Sequence, residues 1–257
     1  MLHDKHKSIK VIMAKVPDIS PYLDEKSTKL WEMLNSLFSI DVFYYNSYKV
    51  YAIGNTVIMF VPSDSKPCAE SFAHELLHLY VRSTKTYIDG ALSYSFNESS
   101  VLSSIFSEQL IQHIANTIEH VKMYPIYLEM GYDKKLFISD FDKPKLTSAD
   151  IVSIRNNFRK KGLFHKVVYK ASAINSYIGK FFAAKACPNP SFNYSSYLRE
   201  LLDLDSSLYV ILDEFWQRWL DYDIFIEHRP LDFNYNDLCF DFHQALKQWA
   251  EGKRIRK

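Results

Sequence analysis

The sequence predicts an α+β fold, with a small β-sheet and an amphipathic helix in the first half and a mostly helical second half. Three observations carry this. Two β-rich runs, 42–53 and 56–61, flank Gly54-Asn55, a two-residue hairpin signal. Residues 66–82 then switch to helical periodicity, with Phe72, Leu76 and Leu79 on one stripe. Beyond residue 100 helical spacing dominates to the C-terminus.

The elements follow in order. Residues 8–15 read as a short strand. Residues 26–38 place Leu30, Met33, Leu34 and Leu37 at helical spacing. Pro62 closes the second β-run. The helix over 66–82 is given Ser65 as N-cap and Pro67 in its first turn, where a missing N–H costs nothing. A polar loop is expected over 83–100, with Asp89-Gly90 as a turn signal inside it, then a helix over 101–123 that stops before Pro125. A short helical turn follows and ends at Gly131, a natural C′ position. Residues 133–146 form a loop. Thr147 and Asp150 resemble a capping box that opens a helix ending near Gly162. Further helices are expected at 164–186, 193–203, 207–221 and 239–251. The best boundary lies near 135, giving a core of residues 1–135 and a helical region of 136–257, or else one continuous body.

Composition narrows the function classes. Net charge is +1, from 31 basic and 30 acidic residues, so nothing overall calls for a nucleic acid or an acidic membrane. The terminal Lys253, Arg254, Arg256 and Lys257 read as a short solvated tail. With only 6 Gly, phosphate-cradling loops are disfavoured. Neither a Walker A motif nor G-x-S-x-G occurs. Cys68, Cys187 and Cys239 are far apart and odd in number, which suits a reducing compartment. No secretory leader and no apolar run of about 18 residues is seen. The expected location is the cytoplasm, with no membrane partner.

The chemistry lies in His74-Glu75-Leu76-Leu77-His78, an H-E-x-x-H pattern. On a helix, positions i and i+4 share a face, so both imidazoles can reach one zinc ion at about 2.0–2.1 Å. Glu75 stands beside the first ligand and reaches the edge of the site, where a carboxylate can take a proton from a water that the metal acidifies. The bland alternative is a packed or surface His pair. The strand 56–61 is expected to offer an edge to which an extended substrate adds.

A catalytic zinc takes three protein ligands and keeps one open position. The helix after the loop supplies the candidates. Glu119 is the choice, with His113 and His120 as alternatives, and Asn116 could orient a ligating imidazole. Tyr124, Tyr127, Tyr132, His165 and His228 are available to stabilise an oxyanion, and nothing separates them. Cys68, ahead of His74, reads as a buried thiol rather than a metal cover. The stripe Leu208, Ile211, Leu212, Phe215 and Trp219 reads as core, with a partner-docking face as the sharper alternative.

His74, Glu75 and His78 resemble the signature of the zincin metallopeptidases. A strand pair, an H-E-x-x-H helix and a later helix with an acidic ligand resemble the gluzincin branch. Phe72-Ala73-His74-Glu75 is similar to the ImmA/IrrE-type proteases. The resemblance covers roughly 40–130 and implies a zincin-like core, a zinc cofactor and hydrolysis of a protein or peptide substrate. It departs at Ala115-Asn116, which has Gln112 rather than an acid ahead of it. The metzincin extension is absent, with Val81 and Thr84 at its Gly and third-His positions. A fold that binds metal without turnover is the alternative from another class.

Overall fold

Local capping sets where the first helix begins. In the computed structural model, which describes residues 14–161, 167–225 and 234–256, α1 (Glu25–Leu37) opens on Asp24. The Asp24 carboxylate accepts the N–H groups of Lys26 and Ser27, and the Ser27 hydroxyl accepts the Asp24 N–H at 3.1 Å. The chain divides after Tyr80 into two compact units, Met1–Tyr80 and Val81–Lys257, and the division falls inside one helix. The boundary expected at 135 lies within the second unit. The architecture is mixed α and β, and mostly helical after the first sheet.

In the first unit, β1 (Ser39–Tyr45), β2 (Lys49–Ile53) and β3 (Thr56–Pro62) form a sheet of order β1-β3-β2. The run 42–53 therefore holds parts of two strands, broken at Asn46-Ser47. β2 and β3 pair antiparallel through Gly54-Asn55, with Gly54 at φ +58°. β1 runs parallel to β3, Val42 opposite Met59. β3 is thus the central strand. Its two edges are already paired, so the edge that was expected on 56–61 belongs to β2 instead. The other side of β1 meets Ala14 and Val16 through backbone hydrogen bonds of 2.9 and 2.8 Å. Only residues 14 and 15 of the strand expected over 8–15 are described. Val57, Met59 and Val61 alternate into a core shared with Leu34, Phe72 and Leu76.

The next helix, α2 (Ala69–Ser83), starts after the expected cap. Ser65 and Pro67 precede it, and the Cys68 carbonyl accepts the first intrahelical bond, from the Phe72 N–H at 3.1 Å.

The second unit is largely helical. The expected loop over 83–100 contains α3 (Ile88–Asn97), whose Ile88, Leu92 and Phe96 are fully buried. Asp89-Gly90 suggested a turn, but this apolar spacing prevails. Two helices then replace the one expected from 101: α4 (Leu102–Ile105) and α5 (Glu108–Glu129). Ser107 separates them by capping α5, its hydroxyl accepting the Leu110 N–H at 3.2 Å. α5 continues through Pro125. Burial of Met123 and Tyr127 on either side outweighs the lost backbone bond. Gly131 ends this stretch at φ +76°, as expected.

The Thr147–Asp150 capping box opens α6 (Ser148–Phe158), which runs into β4 (Arg159–Lys161). β5 (Val167–Lys170) occupies the start of the expected 164–186 helix, and α7 (Ala171–Lys185) the rest. Gly162 lies outside the described residues. α8 (Ser195–Leu204), α9 (Ser206–Asp221) and α10 (Tyr235–Ala250) follow, and β6 (Arg254–Arg256) completes a sheet of order β4-β5-β6. The α9 stripe is core: Leu208, Leu212, Phe215 and Trp219 are buried, and the Trp219 indole donates to the Ile118 carbonyl of α5 at 2.8 Å. No helix among the described residues is long and apolar enough to cross a membrane.

One buried titratable group links this packing to pH. His243 on α10 is 4% exposed, its ring 6.2 Å from that of Phe96, and its Nε2 has no hydrogen-bond partner among the described residues. Burial, then repulsion from Lys247, holds its pKa below the usual 6.5, against a smaller pull from Glu98. The unfolded chain therefore binds a proton that the folded chain resists, so stability falls as pH drops below about 6.5. The slope of melting temperature against pH between 7 and 5 is expected to flatten in His243→Phe. An unchanged slope contradicts this role.

Candidate metal centre

The H-E-x-x-H helix is anchored at its start and along one face. The Cys68 N–H donates to the Tyr48 hydroxyl at 2.9 Å, tying the first turn of α2 to the β1–β2 loop. The Cys68 thiol lies 3.2 Å from the Ser71 hydroxyl and 3.4 Å from a Glu70 carboxylate oxygen, so it forms part of the cap. Phe72, Ala73, Leu76, Leu77 and Leu79 are buried, and the Phe72 ring packs 5.8 Å from Tyr22 and 5.9 Å from Trp31. With that stripe buried, the helix cannot rotate without exposing apolar area at about 25 cal/mol per Å².

The polar residues occupy the remaining face. His74 and His78 are half-buried, their ring centroids 5.0 Å apart at 72°. The i, i+4 spacing brings their Cβ atoms within about 5–6 Å, so the rings can meet on one face. Burial raises the Glu75 carboxyl above its ordinary range, and the nearby His78 and Lys49 pull it back down. Such a carboxylate holds a proton more readily than one in water, the direction in which a carboxylate becomes a better proton acceptor.

A third imidazole joins the pair. His74, His78 and His120 each offer a ligand atom, and these atoms all lie within 4.8 Å of one another, close enough to hold a metal ion. Tetrahedral coordination at about 2.1 Å requires nitrogens about 3.4 Å apart. Three neutral imidazoles suit a borderline transition metal far better than Ca²⁺ or Mg²⁺, which take oxygen ligands.

Glu119, the choice from sequence, is not in this group, and its neighbour His120 is. Adjacent residues on an α-helix point about 100° apart. Once His120 is directed at the cluster, Glu119 takes a different bearing. His120 also packs edge-on against Phe137, ring centroids 5.2 Å apart. His113, the other alternative, is turned elsewhere, with its Nε2 3.1 Å from the Gly179 carbonyl of α7.

A cavity of about 200 Å³ borders His120 within the second unit, lined among others by His113, Asn116, Phe137, Lys145 and Cys187. Of the oxyanion candidates, Tyr127 and Tyr132 are buried in an aromatic cluster with Phe137. Tyr124 donates to the Pro188 carbonyl at 3.5 Å. His165 and His228 lie outside the described residues. Lys49 and Phe137 were not singled out from sequence, because each reaches its place through tertiary packing alone.

No protein-family model, no curated protein and no solved structure matches the chain.

The donor set makes a direct prediction. In titrations with Co²⁺, read by its visible absorption, His120→Ala is expected to weaken binding at least about tenfold, and Glu119→Gln to leave it within about threefold. The reverse ranking contradicts the three-histidine set.

Proposed function

We propose that this protein is a zinc-dependent metallopeptidase with a zincin-like core, in which Glu75 is the general base. The observation that carries the reading is the convergence of His74, His78 and His120, with the half-buried Glu75 next to His74 on the same helix. Three protein ligands, rather than four, is the pattern of catalytic zinc rather than of closed structural sites. The H-E-x-x-H text on α2 and its placement after a small sheet support the zincin-like assignment.

A zinc ion held by His74, His78 and His120 would supply Lewis acidity, acidifying a water and polarising the scissile carbonyl. The chain's own residues do the rest. The three imidazoles bind in their neutral forms, so metal affinity falls as pH drops through the histidine range. Glu75 accepts a proton from the attacking water as its oxygen bonds to the carbonyl carbon. The C–N bond then breaks, and Glu75 passes that proton to the departing amine nitrogen. The buried stripe of α2 holds these groups in register.

The test uses the zinc-loaded protein and a mixed library of internally quenched fluorescent peptides. Wild type is expected to cleave library members and to stop when a chelator removes its zinc. Glu75→Gln is expected to keep its zinc and lose at least about 100-fold in rate. Cleavage undiminished in Glu75→Gln overturns the role of Glu75. A zinc-loaded wild type that cleaves nothing supports a binding protein that keeps the fold without turnover.

A further inference from the structure

The C-terminal basic run is part of a surface that no stretch of sequence displays. β6 pairs parallel with β5, and β5 pairs antiparallel with β4. The three strands read Arg159-Lys160-Lys161, Val167-Val168-Tyr169-Lys170 and Arg254-Ile255-Arg256, with no acidic residue among them. Register decides the faces. Lys160 stands opposite Val168, Val168 opposite Arg254, and Lys170 opposite Arg256. Paired residues share a face and alternate residues return to it. Lys160, Lys170, Arg254 and Arg256 therefore lie on one face, and all four are exposed. The opposite face carries Tyr169, which packs on Phe158 and Trp249 and anchors the sheet to α6 and α10.

Among the described residues none of the four forms an ion pair. Cross-strand neighbours lie about 4.8 Å apart and alternate residues about 6.7 Å apart, so the Cα atoms carrying the four like charges lie within roughly 12 Å of one another. Charged edge strands are a common guard against sheet-to-sheet aggregation. That explanation covers β4 and β6 but not Lys170 on the central strand, and it does not require a single sign of charge.

We infer that this face of the β4-β5-β6 sheet binds the phosphate backbone of duplex nucleic acid without reading sequence. The complementary charge is a dense polyanion. An anionic membrane surface would call for apolar side chains that insert beside the cations, and the only other side chain that the described strands place on this face is the half-buried Val168. Single strands are held by stacking on exposed aromatics, and the sheet's one aromatic, Tyr169, faces inward. The overall charge of +1 conceals the surface because acidic residues elsewhere offset it.

The test is fluorescence anisotropy with a labelled 20-base-pair DNA duplex and the full chain. Four phosphate contacts predict a Kd on the order of 10⁻⁵ M at 50 mM salt and a slope of log K against log salt of about −3.6, or roughly 100-fold weaker binding at 200 mM. The variant K160Q/K170Q/R254Q/R256Q is expected to weaken binding at least about tenfold and to flatten that slope. A control variant, K134Q/K135Q/K143Q/K247Q, removes the same charge from other exposed sites and is expected to bind as wild type does. Thermal unfolding of both variants checks that the fold is kept. Absence of duplex binding at 50 mM salt, equal loss in the control, or binding to phosphatidylserine vesicles but not to the duplex overturns the inference.

Discussion

The candidate centre depends on one helix serving two purposes. α2 presents Phe72, Leu76 and Leu79 to an apolar core and, on its other side, His74 and His78. Neither use is independent of the other. Burying the apolar stripe fixes the rotation of the helix, and that rotation fixes where the imidazoles converge. A single imidazole holds a metal weakly, whereas two that are already oriented need only a third donor. Placing candidate metal ligands on a rigid, well-packed element lowers the ordering entropy that binding a metal would cost. The anchor between Cys68 and Tyr48 serves the same end by tying the first turn of the helix to the sheet.

The pair was legible in the sequence because i, i+4 geometry is local. The third imidazole of the cluster was not, because its place depends on how α5 is rotated. The polar residues of that helix, His113, Asn116, Glu119 and His120, were visible as a group. Choosing among them on ligand chemistry favoured the carboxylate, while the structure gathers His120 with the pair. The signal that could have separated them is the buried stripe of Ile111, Ile114, Ala115 and Ile118. That stripe sets the rotation of α5, and with it the bearing of each polar neighbour.

The fold shows the same division between local and distant information. The Thr147–Asp150 box and the Gly54-Asn55 turn were readable because each is complete within four residues. α3 was missed although Ile88, Leu92 and Phe96 carry a helical period, since Asp89-Gly90 looked like a turn. Pro125 was taken as a stop, yet packing carries α5 through it. Strand order was beyond reach: nothing local says that β3 lies between β1 and β2, and so the wrong strand was expected to offer an edge. The basic sheet is the extreme case. Its charges come from residues 159–161, 167–170 and 254–256, and pairing alone makes them one surface.

The most direct test of the metal centre is the zinc K-edge absorption spectrum of the zinc-loaded protein. Three imidazole nitrogens at about 2.0–2.1 Å, with one further light-atom ligand, are the expected shell. Multiple scattering from three rings, reduced to two in His120→Ala, assigns the third donor. A shell that contains sulfur, or one that His120→Ala leaves unchanged, contradicts the account.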